Sequence, residues 1–301
     1  MAHVFLFADD VLKLKKPVVL GILDHRTLAA RHRACAAEVR LNRELAGGSV
    51  YRGLLPLVVD DGRMGVGGSG EVVDWLVYMQ RLPADRMLDR LITERRAVEP
   101  SLLSLLMRDL ASFYGRTRRA PEGHYLARLR QEAQMNSEHL AAMAAHVPQV
   151  PVARLAAACA HRIRTYKHEI ARRERRGLIV DGHGDLRPEH VCLLAHPVVF
   201  DRVEFSRDIR LADPFDEVGH LALECGLLGA PDLAGPLLVA LDAAGVPAPS
   251  AGLLATYRLF RCLTRARLCL DHLRDEGRTD IARWIAKASA YLAEATRLVG
   301  T

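Results

Sequence analysis

Within GHGDLRPEHVCLL, residues 182–194, two histidines and two acids crowd one short polar stretch: His183, Asp185, Glu189 and His190. A second carboxylate, Asp201, ends the next apolar run, PVVFD. Three chemistries could use such a set: a metal cage, an acid–base centre, or no chemistry at all in a polar turn. Zinc is the poorest fit, because there is no H-E-x-x-H, and H-x-x-E-H fails with leucine at position 186. Two carboxylates delivered by neighbouring strand ends suit another division of labour. One can orient a hydroxyl and accept its proton while the other holds a metal ion.

The elements that must position these residues follow from pattern. Residues 3–8 and 10–14 read as two short strands around the turn Ala8–Asp10, and 26–46 as a helix that starts after Asp24 and stops at Gly47–Gly48. PLVVDDGRMGV and GEVVDWLVYMQRL read as a strand pair. Beyond about residue 83 the chain turns helical. Residues 153–176 form one amphipathic helix with Leu155, Cys159, Ile163, Tyr166 and Ile170 on its apolar face, ended by Gly177. Short strands follow at 178–180, 191–194 and 198–200, then helices at about 216–228, 233–244, 251–275 and 279–298. The expected organisation is α+β: a small sheet-bearing lobe over 1–82 and a larger helical lobe over 83–301 that carries the loop with Asp185.

Bulk properties narrow the class. The chain has 301 residues, half of them hydrophobic, enough for one large or two modest cores. A net charge of +6 suits acidic partners such as nucleotides. The six cysteines are scattered among apolar neighbours, as reduced buried thiols are. The first residues show neither a basic leader nor a cleavage site, and no apolar run is long enough to span a membrane, so the cytoplasm is expected. The basic runs RTRR and RRERR lack interleaved aromatics, which disfavours nucleic acid, and nothing sets an oligomeric state. GVGGSG, residues 65–70, matches a dinucleotide fingerprint in letters only. It precedes a β-branched strand pattern instead of a helix, so it reads as a hairpin turn.

HGDLRPEHV resembles the catalytic loop H-G-D-L-x-x-x-N of aminoglycoside phosphotransferases and related small-molecule kinases, and FDRVEF resembles their metal-binding strand end. KLKKPV, EVRLNRELA, GEVVDWLVYMQRLP and DRVEFSRDIRLADPFDEVGHLALE extend the resemblance over about residues 11–224. It implies a two-lobed protein-kinase-like fold and transfer of phosphate from ATP, with Mg²⁺, to a hydroxyl of a small polar acceptor such as an aminoglycoside or amino sugar. Asp185 would orient that hydroxyl and take its proton, Asp201 would carry Mg²⁺, and His190 stands at the second metal position, where the family has asparagine. Phosphate charge needs a strand lysine held by a helix glutamate. Lys13 is favoured over Lys15, with Glu38 as partner and Glu44 as fallback. Adenine would bond backbone at the connector 79–82, which includes Met79 and Arg81.

The resemblance also assigns lesser roles. Asp213 and Asp216 resemble an acidic pair that braces the loop, though Asp213 reads equally well as a helix cap. His183 would orient the loop. Glu204 could face the cleft or pair with Arg202. Glu217, Glu224 and Asp271 are the acids available for a cationic acceptor. Two features depart from the pattern, His190 and the lack of a phosphate-covering glycine loop ahead of the lysine strand. They motivate a rival, a kinase-like module that binds nucleotide or metabolite without turnover. A protein kinase is disfavoured, since HGD replaces HRD and no D-F-G or A-P-E is present.

Overall fold

A computed structural model of the chain describes residues 2–20, 23–274 and 279–300. The end expected for the helix over 251–275 lies in part outside the described residues. The protein is α+β and separates into two compact units. The first comprises Met1–Arg116 and His183–Arg210, the second Thr117–Gly182 and Leu211–Thr301. Compactness therefore divides the chain differently from the composition change at residue 83, and the Asp185 loop belongs to the unit that holds the sheet.

The first unit opens with β1 (Ala2–Leu6), β2 (Asp10–Lys15) and the short pair β3 (Val19–Leu20) and β4 (Leu23–Asp24). Then come α1 (Leu28–Val50), β5 (Tyr51–Asp60), β6 (Arg63–Val66) and β7 (Glu71–Gln80). The five longer strands form one antiparallel sheet in the order β1-β2-β7-β5-β6. Helix α1 is capped by Thr27, whose hydroxyl accepts from the Ala30 amide at 3.1 Å, and not by Asp24. It also runs through the expected stop. Gly47 adopts φ 79° as a kink, and helical geometry resumes to Val50. The expected single strand PLVVDDGRMGV is itself a hairpin. Asp61 and Gly62 both take positive φ, the requirement of a tight two-residue turn that Asp-Gly meets readily. The glycine run then joins β6 to β7, strand to strand. One face of α1 packs on the sheet through Cys35, Val39, Val50, Tyr51 and Val77. Helices α2 (Leu88–Thr93) and α3 (Pro100–Arg116) complete this stretch.

The second unit begins with α4 (His124–Ala142), α5 (Val152–Thr165), α6 (Lys167–Arg175) and β8 (Val180–Asp181). The helix expected over 153–176 is thus two helices, because Tyr166 leaves helical geometry at φ −92°, ψ 8°. The chain returns to the first unit with β9 (Val191–Cys192), β10 (Val198–Val199) and α7 (Arg207–Arg210). It then re-enters the second with β11 (Leu211–Ala212), α8 (Pro214–Leu227), α9 (Ala234–Ala243), α10 (Ala251–Asp271) and α11 (Ile281–Gly300). The core of this unit joins α4, α5, α10 and α11 through residues such as Tyr125, Leu155, Ile163, Phe260 and Leu292. All six cysteines are buried. Among the described residues, no helix is long and apolar enough to cross a membrane.

Candidate active site

Strand alternation places Lys13 and Lys15 on one face of β2. Lys13 lies opposite Val77 of β7. Mid-way along α1, Glu38 is fully buried and takes both ammonium groups: Lys13 Nζ lies 2.9 Å from its Oε1, and Lys15 Nζ donates to Oε2. Each lysine has a second carboxylate partner. Lys13 donates to Asp201 Oδ1 at 2.7 Å, and Lys15 donates to Glu204 Oε1. Burial opposes the charge on Lys13, yet the Glu38 and Asp201 carboxylates outweigh it and hold its pKa well above the ordinary lysine value. The same pairing works in reverse on Asp201. Burial would raise its pKa, but Lys13 and then His190 hold the carboxyl well below the usual range.

Asp201 itself sits in the left-handed region at φ 61°, and its amide donates to the Tyr51 hydroxyl at 3.2 Å. Its side chain stays 41% exposed, against 17% for Lys13 and 4% for Lys15. Asn42 of α1 fixes the adjoining backbone from both sides. It accepts from the Arg202 amide at 2.7 Å and donates to the Arg202 carbonyl at 3.3 Å.

The Asp185 loop is fixed by its two histidines. His183 Nε2 lies 2.8 Å from the Phe200 carbonyl, which can only accept, so Nε2 carries the proton. Its Nδ1 is then left to accept the Asp185 amide at 3.2 Å. That arrangement requires a neutral ring, and burial, aided by His190, lowers its pKa to about 3. His190 stacks on His183 at 5.6 Å and gives its Nδ1–H to the Asp185 carbonyl at 2.8 Å. Its Nε2 lies 3.6 Å from Asp201 Oδ2, too far for a hydrogen bond. Gly184 turns the chain at φ 88°, and a β-carbon there would come within 3.0 Å of the Arg210 side chain. The Asp185 carboxylate is partly exposed and receives Arg187 Nε at 3.0 Å, while the other arm of Arg187 holds Glu189 at 2.6 Å.

Lys13, Tyr51 and Asp201 border a cleft of about 330 Å³ in the first unit. Its walls include Val4, Leu6, Met79, Leu82, Met87 and Phe200, and Lys13 and Asp201 are its charged lining near one another. A mainly apolar pocket with a few convergent polar groups is the usual form of a small-molecule site. Met79 and Arg81 both line it. The Arg81 amide, however, is already given to the Asp9 carbonyl at 2.8 Å, and its side chain reaches the Phe7 carbonyl at 2.7 Å.

The structure brings Lys13, Lys15, Glu38, Glu204, Asp201 and His190 together. Glu44 pairs with Arg202 at 2.6 Å, whereas Glu204, for which sequence left open the cleft or Arg202, pairs with Lys15. In the second unit Asp213 caps α8, accepting from the Phe215 amide at 3.0 Å, and is held by Arg173. Glu217 is buried. Glu224 is taken by His220 at 3.1 Å and the Tyr291 hydroxyl at 2.6 Å, and Asp271 by Arg267 and His139. Sequence reasoning did not find Tyr51, Asn42 or Arg187. Only Arg187 left a signal, its position between the two acids of the loop.

No family model matches the chain, and no solved structure matches it. It is similar to uncharacterised proteins of Mycobacterium tuberculosis and Mycobacterium bovis, 30% identical over 303 aligned residues. The alignment covers 98% of this chain but 59% of theirs, so the chain spans little more than half the length of the curated relatives it matches.

Proposed function

We propose that the protein is an ATP- and Mg²⁺-dependent phosphotransferase of the aminoglycoside phosphotransferase-like family, with a two-lobed protein-kinase-like fold, acting on a hydroxyl of a small polar molecule. The observation that carries this reading is the linked set Lys13–Glu38 and Lys13–Asp201 on the wall of an apolar cleft. Phosphoryl transfer needs little covalent chemistry from a protein and much charge placement, and a strand lysine held by a helix glutamate beside a metal-binding aspartate is its recurring equipment. The apolar walls suit a purine. Arg81 can offer it only a carbonyl, since its amide is committed.

The donor set also suits a divalent ion that keeps waters and phosphate oxygens as its other ligands. Asp201 Oδ2 and His190 Nε2 would hold it. Among the described residues, no group of three or more His, Cys, Asp or Glu gathers into a closed cage. When bound, such an ion screens the charge of the transferring phosphate. Lys13 would neutralise the phosphates, and Asp185 would orient the acceptor hydroxyl and take its proton.

The test is ADP release measured over a panel of aminoglycosides, sugars and protein substrates. Turnover with a hydroxyl acceptor supports the reading. Nucleotide binding with no transfer to any acceptor favours a binding module, whose specific motive is the imidazole of His190 in place of an oxygen ligand.

A further inference from the structure

β2 presents two lysines to one carboxylate, and they differ in what surrounds them. Lys13 lines the cleft, and its partner Asp201 is partly open to solvent. Lys15 is absent from the cleft lining, and two of its three ammonium protons go to the carboxylates of Glu38, which is buried, and Glu204, which is nearly so. Pulling it free would leave the largely buried Glu204 carboxylate without its cation and Glu38 with one of its two, a cost a phosphate contact does not return. Lys15 is therefore fixed where it stands.

Its partners show what the fixing achieves. By occupying Glu38 Oε2 it leaves Oε1 for Lys13, which sets the direction in which that ammonium points. By holding Glu204 it anchors the end of the segment that starts at Asp201, while Asn42 holds the middle through the Arg202 backbone. Resting on the nucleotide reading above, we infer that Lys15 and Glu204 are positioning residues: their ion pair sets Lys13 and Asp201 at the cleft, and Lys15 never touches phosphate.

An acyl phosphate of ATP tests this on the full chain without a known acceptor. An amine that meets the terminal phosphate attacks the acyl carbon; an amide forms, the acyl–phosphate C–O bond breaks, ATP departs and the amine proton passes to solvent. Mass spectrometry then locates the label. The expected result is labelling of Lys13, suppressed by Mg·ATP. Glu204→Gln keeps the shape of the side chain and should slow that labelling about tenfold in a chain that still unfolds cooperatively, the worth of one charge-assisted hydrogen bond. Lys15→Arg should restore most of the rate lost in Lys15→Met, which a space-filling role would not require. Labelling of Lys15, or wild-type labelling of Lys13 in Glu204→Gln, overturns the inference and leaves the nucleotide site standing. Labelling of neither lysine, with no Mg·ATP binding, overturns the nucleotide reading and the inference with it.

Discussion

Each unit contains a cluster of buried charges, and the two clusters are finished differently. At the start of α8, Arg173 grips both oxygens of Asp213, and Arg261 reaches the two oxygens of Asp216 at 2.7 Å each. Tyrosine hydroxyls add to both, Tyr257 to Asp213 at 3.2 Å and Tyr125 to Asp216 at 3.0 Å. Both carboxylates are sealed from solvent, and burial pushes the Asp213 pKa up even against Arg173. At β2 the cations are lysines, compact point charges that leave carboxylate positions open. Asp201 remains accessible, and the cleft opens beside it. Planar guanidinium forks saturate an acid and make it scaffold; a lysine shared between acids leaves capacity for a ligand. The same difference explains why the acids first considered for an acceptor, Glu224 and Asp271, are unsuited to it. Arginine, histidine and tyrosine partners already use them.

Four experiments can break this contrast. Asp185→Asn should lower phosphoryl transfer by about 10²–10⁴-fold, the usual worth of a positioned base, and spare nucleotide binding; turnover near wild type would remove Asp185 from the chemistry. In the sealed cluster, Arg173→Met should cost about 3–5 kcal/mol in urea unfolding, because it strands a buried carboxylate. A loss under 1 kcal/mol would mean that this cluster is no more scaffold than the other. Asp201→Ala should weaken Mg·ATP binding about tenfold or more in calorimetric titration while the thermal midpoint moves little. A large fall in the midpoint would make Asp201 structural instead.

The fourth test is the pH dependence set by His183. Its folded pKa of about 3 lies below the ordinary 6.5, so between these values the unfolded chain binds a proton that the folded chain refuses. Stability from this group is present above pH 6.5 and is lost as pH falls, by about 2 kcal/mol at pH 5. His183→Gln should flatten that part of the stability–pH curve; an unchanged slope would show that the ring is not held neutral.

Much of the first unit was legible from pattern. The alternation in DVLKLK places two lysines on one face of a strand, and the mid-helix position of Glu38 makes it their nearest candidate partner. Where pattern failed, a longer-range contact had overruled a local signal. Gly47–Gly48 looked like a stop, but α1 continues to Val50, whose side chain packs into the cluster with Tyr51 and Val77. Asp61–Gly62 is a tight-turn signal that the β-branched run around it masks. Glu204 could not be assigned, because Arg202 is close in sequence and Lys15, 189 positions away, is the partner in space.

The sequence by itself determined the chemistry available: carboxylates at 185 and 201, imidazoles at 183 and 190, two lysines on one strand face, and the elements that carry them. Those follow from residue type and local period, which need no knowledge of distant contacts. The tertiary structure alone decided how the charges are shared. It gave Lys13 to the cleft and Lys15 to the interior, divided the two oxygens of Glu38 between them, and left Asp201 open while closing Asp213 and Asp216. Burial and partner geometry are properties of packing, and they separate a carboxylate that can bind from one that can only brace.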